Sequence, residues 1–481
     1  MKKKSVALFL SAAMIIGTLA GCAAPAAPAA APADAPAKEE AVEEAPAEAE
    51  APAEEEAAPS GEKVTIDFWD MVVGGDNYPA EAAEHAKKIS EEYPNIEIAY
   101  ESIPWANRYE TFTTAIASGQ APDMSTGGGY QSFQYAASGE ILDVGSIVEE
   151  WKEDGTYDNY NTAMIDYFQY NGQQVGIPWN YEPRYMLYRA DWFEADGIEP
   201  PTTWDEIMAA AEHFTDPANG KYGLAYPTSG SSGNVLFNIW FGMNGGGIWT
   251  EDGQALDWTN EKNVEALDFI RELNKAGVFP EGLGAYESNE VVQLAVQDSV
   301  AMVIIVGGAS GAQIAEAGFG DKFQYLDVPT GPSADGNNGY VTAINAIMAY
   351  SQTETPQETK DALKWWSENM IDLWTSKTAQ VSGIPVRNDW LQSETYTSNI
   401  ADPYMIECIN RTINKGQMHT LIYPASNIVG WQTQNAFDGE RWWTALSQAV
   451  LTADDGTSSL DLLQERQDDG NELLKELDGA E

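Results

Sequence analysis

GIPWNYEPRYMLYRADWF, residues 176–193, sets Trp179, Tyr181, Tyr185 and Tyr188 around one carboxylate, Glu182, and one cation, Arg184, with Pro178 and Pro183 on either side of the carboxylate. A buried strand normally avoids both prolines and charges. A surface loop has no use for so many large rings. The stretch is therefore either a wall that faces a polar ligand or a core strand of unusual composition, and the rest of the chain separates the two readings.

The 481 residues suffice for two or three lobes with cores of their own. The opening MKKKSVALFLSAAMIIGTLAGC has three lysines, an apolar run from Ala7 to Ala20 and a small-residue exit. The run is shorter than the roughly 20 residues a membrane span needs, so residues 1–21 read as a secretory signal. Leu19-Ala20-Gly21-Cys22 resembles the bacterial lipobox, which implies that Cys22 is lipidated and becomes the first mature residue. Several acyl chains on one residue hold a protein on a membrane surface. Residues 22–62 are Ala, Pro and Glu with almost nothing else. Such a segment has no apolar period to bury and is expected to be a disordered, extended tether. The folded part is expected to start at Lys63.

The formal net charge is −50. A domain so acidic, with no basic cluster, is a poor partner for nucleic acid and is expected to stay monomeric outside a cell. With only Cys22 and Cys408 in the chain, and the first assigned to lipid, no intramolecular disulfide is available. Cys408 reads as a small buried hydrophobe. Sixteen Trp and 22 Tyr give many flat apolar faces with polar edges, which suit partners that are half apolar and half hydroxyl.

Patterning along the chain indicates an α/β fold. Val64–Trp69 and Ile96–Tyr100 alternate as strands; Pro79–Tyr93 and Trp105–Ser118 carry helical spacing; Pro122–Met124 begins a third strand cut off by Gly127-Gly128-Gly129. Strand–helix alternation predicts a parallel sheet covered by helices, with ligands beyond the carboxyl ends of the strands. Asp70 and Gly128-Gly129-Tyr130 stand at such ends. Thr203 and Glu206 predict a capping box. Asn263–Ala276 predicts an amphipathic helix, Ser299–Val306 and Phe323–Pro329 predict strands, and Thr359–Thr375 predicts a helix with Trp365, Trp366 and Trp374. Trp365, Trp366 and Trp204 are expected to pack in the core.

Most catalytic chemistries have no foothold. His85, His213 and His419 make no metal spacing, and HExxH, GxSxG and P-loop motifs are absent. Asp454-Asp455-Gly456 lacks the twelfth-position Glu of a calcium loop. Carboxylates are plentiful, so a glycosidase with Glu182 as one of two acids stays open, but no partner for it can be named.

VTIDFW, EEYPNIEIAY, AIASGQAPDM, YAASGEILDV, VGIPWNYEPRYMLYRADWFEADGIEPPTTWDEI, NVEALDFIRELNKAGVFP, DSVAMVIIVGG and GIPVR occur in the order found in the bacterial extracellular solute-binding proteins of sugar-uptake ABC transporters, the group that includes maltose-binding protein. The chain resembles that family over nearly all of its folded part. The resemblance implies two α/β lobes of the type II-like periplasmic-binding-protein fold, joined by hinge crossings, with ligand in the cleft between them. The lobes would comprise residues 63–179 with 328–385 (N-terminal) and 180–327 with 386–481 (C-terminal), with crossings near Pro178–Glu182, Leu326–Pro329 and Ile384–Arg387. It further implies a non-enzymatic receptor on the outer face of the cell membrane, without a cofactor or metal, that hands a carbohydrate, of oligosaccharide size, to an ABC permease.

On the matching motifs, Glu182 is the polar ligand contact, Trp443 the stacking tryptophan with Trp442 as its rival in register, and Tyr130 and Gln131 further polar contacts. Trp179, Tyr181, Trp69, Asp70, Trp240 and Trp431 are candidates from position and neighbourhood. Where the family often has a tryptophan after the strand matching VAMVIIVGG, this chain has Ala309 and Ser310, which argues against maltose itself. The same scaffold could instead serve a non-sugar solute such as a polyol phosphate or a peptide.

Overall fold

The computed structural model describes residues 62–105, 108–229, 233–250, 255–420, 443–452 and 456–478. The leader, Cys22, nearly all of the tether, Trp431, Trp442 and Asp454-Asp455 lie outside the described residues. Among the described residues no helix is long and apolar enough to cross a membrane, and the one cysteine, Cys408, is free and buried.

Strand β1 (Val64–Met71) buries Ile66 and Phe68 and exposes Thr65 and Asp67, the two-residue period its sequence predicts. It runs parallel to β2 (Ile96–Ile103), in register from Val64 opposite Ile96 to Met71 opposite Ile103, and on its other side to β3 (Met124–Gly128). Helices at Tyr78–Ala86 and Arg108–Ala117 form the crossovers that parallel strands require. The single helix expected over Pro79–Tyr93 is two, Tyr78–Ala86 and Ile89–Glu92, parted by a turn in which the Lys88 N–H bonds the His85 carbonyl. The helix expected over Thr359–Thr375 likewise divides into Pro356–Asn369 and Ile371–Trp374.

The quoted stretch forms β4 (Ile177–Arg189), almost wholly buried. The remaining strands of the sheet are β5 (Tyr222–Ala225), β6 (Val300–Val306), β7 (Phe323–Tyr325), β8 (Tyr340–Ala349), β9 (Ile384–Pro385) and β10 (Met418–Thr420). The order along the sheet is β2-β1-β3-β8-β4-β6-β5, with β7 and β9 also on β4 and β10 on β8. Both β4 and β8 change partners midway. The first part of β4 lies antiparallel to β8, and from Arg184 on it lies antiparallel to β6. The Asn345–Ala349 end of β8 pairs with β3, whereas Tyr340–Thr342 pairs with β10. These two strands carry one half of the molecule into the other. The expected strand over Phe323–Pro329 ends at Tyr325, and the Leu326 N–H still bonds the Met186 carbonyl of β4.

This topology accounts for two prolines in a central strand. The register slips between Asn345 and Ala346, so that Trp179 is an extra residue between Pro178 and Asn180, a bulge of the kind that tolerates a missing donor. Pro183 falls where β4 exchanges β8 for β6.

Beyond β4, Thr203 caps the helix Trp204–Phe214 and Glu206 completes the capping box. Trp204 stacks on Phe269 of the helix Glu261–Lys275 at 4.7 Å. Trp365 and Trp366 are core residues, as their helical setting predicts, and they enclose His85. The imidazole stacks on Trp365 at 5.2 Å and meets Trp366 edge-on at 5.5 Å, and neither ring nitrogen has a hydrogen-bond partner. Burial, helped by the Lys88 charge, pushes its pKa down to about 4. The unfolded chain takes up this proton near the ordinary 6.5 and the folded protein only near 4, so stability is lost as pH falls between those values. His85→Leu is expected to remove about 2 kcal/mol of the loss between pH 7.5 and 4.5. Urea unfolding at the two pH values checks this; an unchanged gap between wild type and variant would refute it.

Candidate functional site

The partner exchange of β4 and β8 brings their most polar residues together. Asn180 stands opposite Asn345 and Glu182 opposite Ala343. Residues two apart on a strand, and residues directly opposite on paired strands, share a face, so Asn180, Glu182 and Asn345 form one cluster. Both asparagines are buried. The Asn180 amide donates to the Ser382 carbonyl at 3.1 Å, while its oxygen accepts nothing, and the Asn345 amide is turned to the Glu182 carboxyl. Glu182 is half-buried. Burial raises its pKa, and the Arg184 charge and the nearby Asn345 amide oppose that rise. Arg184 is fixed beside it by donation from Nη1 to the Glu182 carbonyl at 2.7 Å. Gly383, at φ +88°, closes the cluster; a Cβ there would lie 2.6 Å from the Tyr181 carbonyl and 3.1 Å from Glu182 Cγ, so the position requires glycine on both counts.

One flank of the cluster is the start of the helix Gly129–Ala137, because Gly128 pairs with Asn345. Tyr130 follows at once, and its hydroxyl accepts from Arg108 Nε at 3.0 Å. The Arg108 guanidinium lies over the Trp105 ring at 5.4 Å, and Trp105 Nε1 donates to the Val72 carbonyl at 2.6 Å. Trp105, Arg108 and Tyr130, all partly buried, thus gather just past the carboxyl ends of β1, β2 and β3, where ligands of parallel sheets lie. The opposite flank is the turn after β6, where the Gly307 N–H bonds the Pro183 carbonyl at 2.8 Å and Ala309 and Ser310 follow.

Gln131, Asp70, Trp69, Tyr181, Trp179 and Trp240 lie elsewhere. Gln131 caps its own helix; its side-chain oxygen accepts the Gly128 N–H at 2.9 Å and its nitrogen donates to the Tyr135 hydroxyl at 3.2 Å. Asp70 is sealed inside, accepting from Thr126, Tyr78 and Tyr100 at 2.6, 2.7 and 2.9 Å, and burial still pushes its pKa up to about 6. It braces the strand ends and presents no free oxygen to a ligand. Trp69 packs edge-on against Phe112 at 5.4 Å. Tyr181 points to the face opposite Glu182, where Cys408 and Tyr396 are its neighbours, because alternation separates successive residues of a strand. Trp179, at the bulge, is buried against Trp374 at 5.7 Å with its indole N–H unpartnered. Trp240 is a core residue, fully buried among Trp204, Tyr226 and Phe269. Trp443 begins the helix Trp443–Thr452.

Asn180, Asn345, Trp105 and Arg108 belong to the site and escape the sequence reading. Asn180 could have been found from its two-residue spacing to Glu182. Asn345 carries no local signal, since only the pairing of two distant strands brings it there. An acceptor, a donor and a half-buried carboxyl on one face, flanked by partly buried rings, is a surface that can bind several hydroxyl groups at once.

Residues 73–370 match the family of bacterial extracellular solute-binding proteins. A binding protein of Brucella abortus (strain 2308) is 25% identical over 321 residues, 66% of this chain and 75% of that one. Among solved structures, a sugar transporter of Arthrobacter chlorophenolicus A6 with bound laminaribiose superposes with a TM-score of 0.73 at 26% identity, covering 85% of this chain and 99% of that one. Maltose-bound T. maritima MalE3 gives a TM-score of 0.68 at 19% identity, with 85% and 99% covered.

Proposed function

Because the chain belongs to the family of bacterial extracellular solute-binding proteins, we propose that it is the carbohydrate receptor of an ABC importer and binds a sugar between two lobes over the Asn180–Glu182–Asn345 cluster. The observation that carries this reading is the buried Asn180 amide oxygen without a donor, beside the Asn345 amide and a half-buried carboxyl, on the strands that join the two halves. A buried polar group left without a partner costs about 1–3 kcal/mol, and sugar hydroxyls satisfy donor and acceptor alike. Trp105 and Tyr130 offer rings for the C–H face of a pyranose. The laminaribiose bound to the Arthrobacter protein supports an oligosaccharide as the ligand class.

The receptor performs no chemistry in this reading. Among the described residues the charge acting on Glu182 is the cation Arg184, whereas hydrolysis needs a second carboxylate at a set distance. The lobes would close by bending where β4 and β8 change partners; the β8 pairing favours a second crossing within Tyr340–Ala349 over one near Leu326–Pro329, and the lobe boundary expected at residue 328 shifts with it. Lipidation at Cys22 would hold the monomer on the outer membrane face, with the tether giving the lobes reach to the permease.

A thermal-shift screen of the purified protein against laminaribiose, maltose, maltotriose and other mono- and oligosaccharides tests the reading, with each hit titrated by calorimetry and assayed for product. A saturable rise in midpoint without product is expected. Hydrolysis of the hit would make the protein a glycosidase. A response confined to peptides or phosphorylated solutes would keep the scaffold and overturn the sugar.

A further inference from the structure

The short segment Ala379–Gly383 touches both halves of the molecule. The Gly75 N–H bonds the Ala379 carbonyl at 2.9 Å, and the Ser382 N–H bonds the Val73 carbonyl at 2.5 Å, which ties the segment to the loop after β1. The Ser382 carbonyl accepts from the Asn180 amide at 3.1 Å. The Ser382 hydroxyl accepts from the Ala309 N–H at 3.3 Å, at the start of the helix Ala309–Ile314 that follows β6. One residue thus engages three elements: the β1 side, the crossing strand and the β6 side.

The sequence of the β6 turn suits this contact. Gly308, the residue before the helix, has φ 103° and ψ −107°, and a Cβ on it would lie 2.3 Å from Ser382 Cα. Only glycine fits both the backbone angles and the space. Glycine has no side chain with which to cap the helix, so the partly buried N–H of Ala309 takes its acceptor from Ser382 across the molecule. The small Ala309 leaves room for that approach. Gly383, next in the chain, closes the Glu182 cluster.

We propose that Ser382 is the positioning residue of lobe closure: its hydroxyl, by capping Ala309 from the opposite lobe, holds the two lobes together over the Asn180–Glu182–Asn345 cluster. This rests on the two-lobe receptor reading above. Its weight is that of one neutral hydrogen bond, so its loss should shift the open–closed balance by about two- to ten-fold.

The test is double electron–electron resonance on ligand-free protein, with spin labels at Glu91→Cys and Glu212→Cys, exposed positions on either side, in a Cys22→Ser background. Wild type should populate the short interlobe distance, and Ser382→Ala should move that population to longer distances by the factor above. Ala309→Pro, which removes the N–H at a first helical position that tolerates proline, should do the same, and the double variant should add nothing further. Ala309→Pro decides the matter if Ser382→Ala does not fold. Distance distributions identical to wild type in the folded variants would overturn the proposal. No sugar enters the measurement, so a shifted distribution in a protein that binds no carbohydrate would keep the latch and overturn the ligand.

Discussion

Glu182→Ala is expected to weaken carbohydrate binding by about 100- to 1,000-fold. A carboxylate that accepts from two neighbouring hydroxyls makes two charge-assisted hydrogen bonds, each contributing about 1.5–3 kcal/mol. Glu182→Gln keeps one acceptor and should fall between wild type and alanine. Neither change should reduce folding stability, because burial already disfavours the ionised form of this side chain. Its raised pKa adds a second signature. The binding species is the carboxylate, so affinity should decline on acidification at a higher pH than for an ordinary glutamate, and this decline should vanish in Glu182→Gln. Calorimetry at pH 7.5 and 5 with a sugar from the screen measures both. Binding by Glu182→Ala within three-fold of wild type would remove Glu182 from the site.

Much of this was legible in the sequence, for identifiable physical reasons. Alternation along Val64–Met71 and Ile96–Ile103 located the parallel strands, and the capping pair Thr203 and Glu206 located a helix start, because each pattern depends only on near neighbours. The type and order of elements followed. Ring-rich composition was a poorer guide to the site. Trp240, fully buried, and Tyr181, turned to the face opposite Glu182, show why: an aromatic side chain suits a core as well as it suits a sugar. Asp70, at the end of a strand as expected, is spent on three hydroxyl groups. Asn345 was out of reach because a β-ladder, not the local sequence, sets it beside Asn180. The prolines around Glu182 were a sound signal of irregularity; the bulge at Trp179 and the partner exchange at Pro183 are its cause.

Asp402→Ala should be among the most destabilising single changes available. Asp402 is buried, and its carboxyl accepts from the Tyr185 hydroxyl at 2.5 Å, the Gly308 N–H at 2.7 Å and the Tyr404 N–H at 2.8 Å. It joins β4, the turn after β6 and the helix Tyr404–Arg411 at one point. Truncation leaves three buried donors without an acceptor, a loss of about 3–5 kcal/mol, and the thermal midpoint should drop by several degrees. Asp402→Asn keeps the shape and one acceptor oxygen and should cost less. The two variants also differ from wild type in pH response. Burial pushes the Asp402 pKa up to about 6 from the ordinary 3.8. The folded protein therefore takes up a proton near 6 that the unfolded chain takes up only near 3.8, and the cost of burying the charge is relieved as pH falls through that window. Wild type should gain about 2 kcal/mol over Asp402→Asn between pH 7 and pH 4. Asp70 acts in the same sense, and His85, with its depressed pKa, acts in the opposite one. His85 cancels about one of the two carboxyl contributions and leaves the other, so the stability curve of the intact protein mixes three groups and the difference between variant and wild type is the informative quantity. Urea unfolding of the pair at both pH values reads it directly; a constant difference would mean that Asp402 does not titrate in this range and that its three hydrogen bonds hold it ionised throughout.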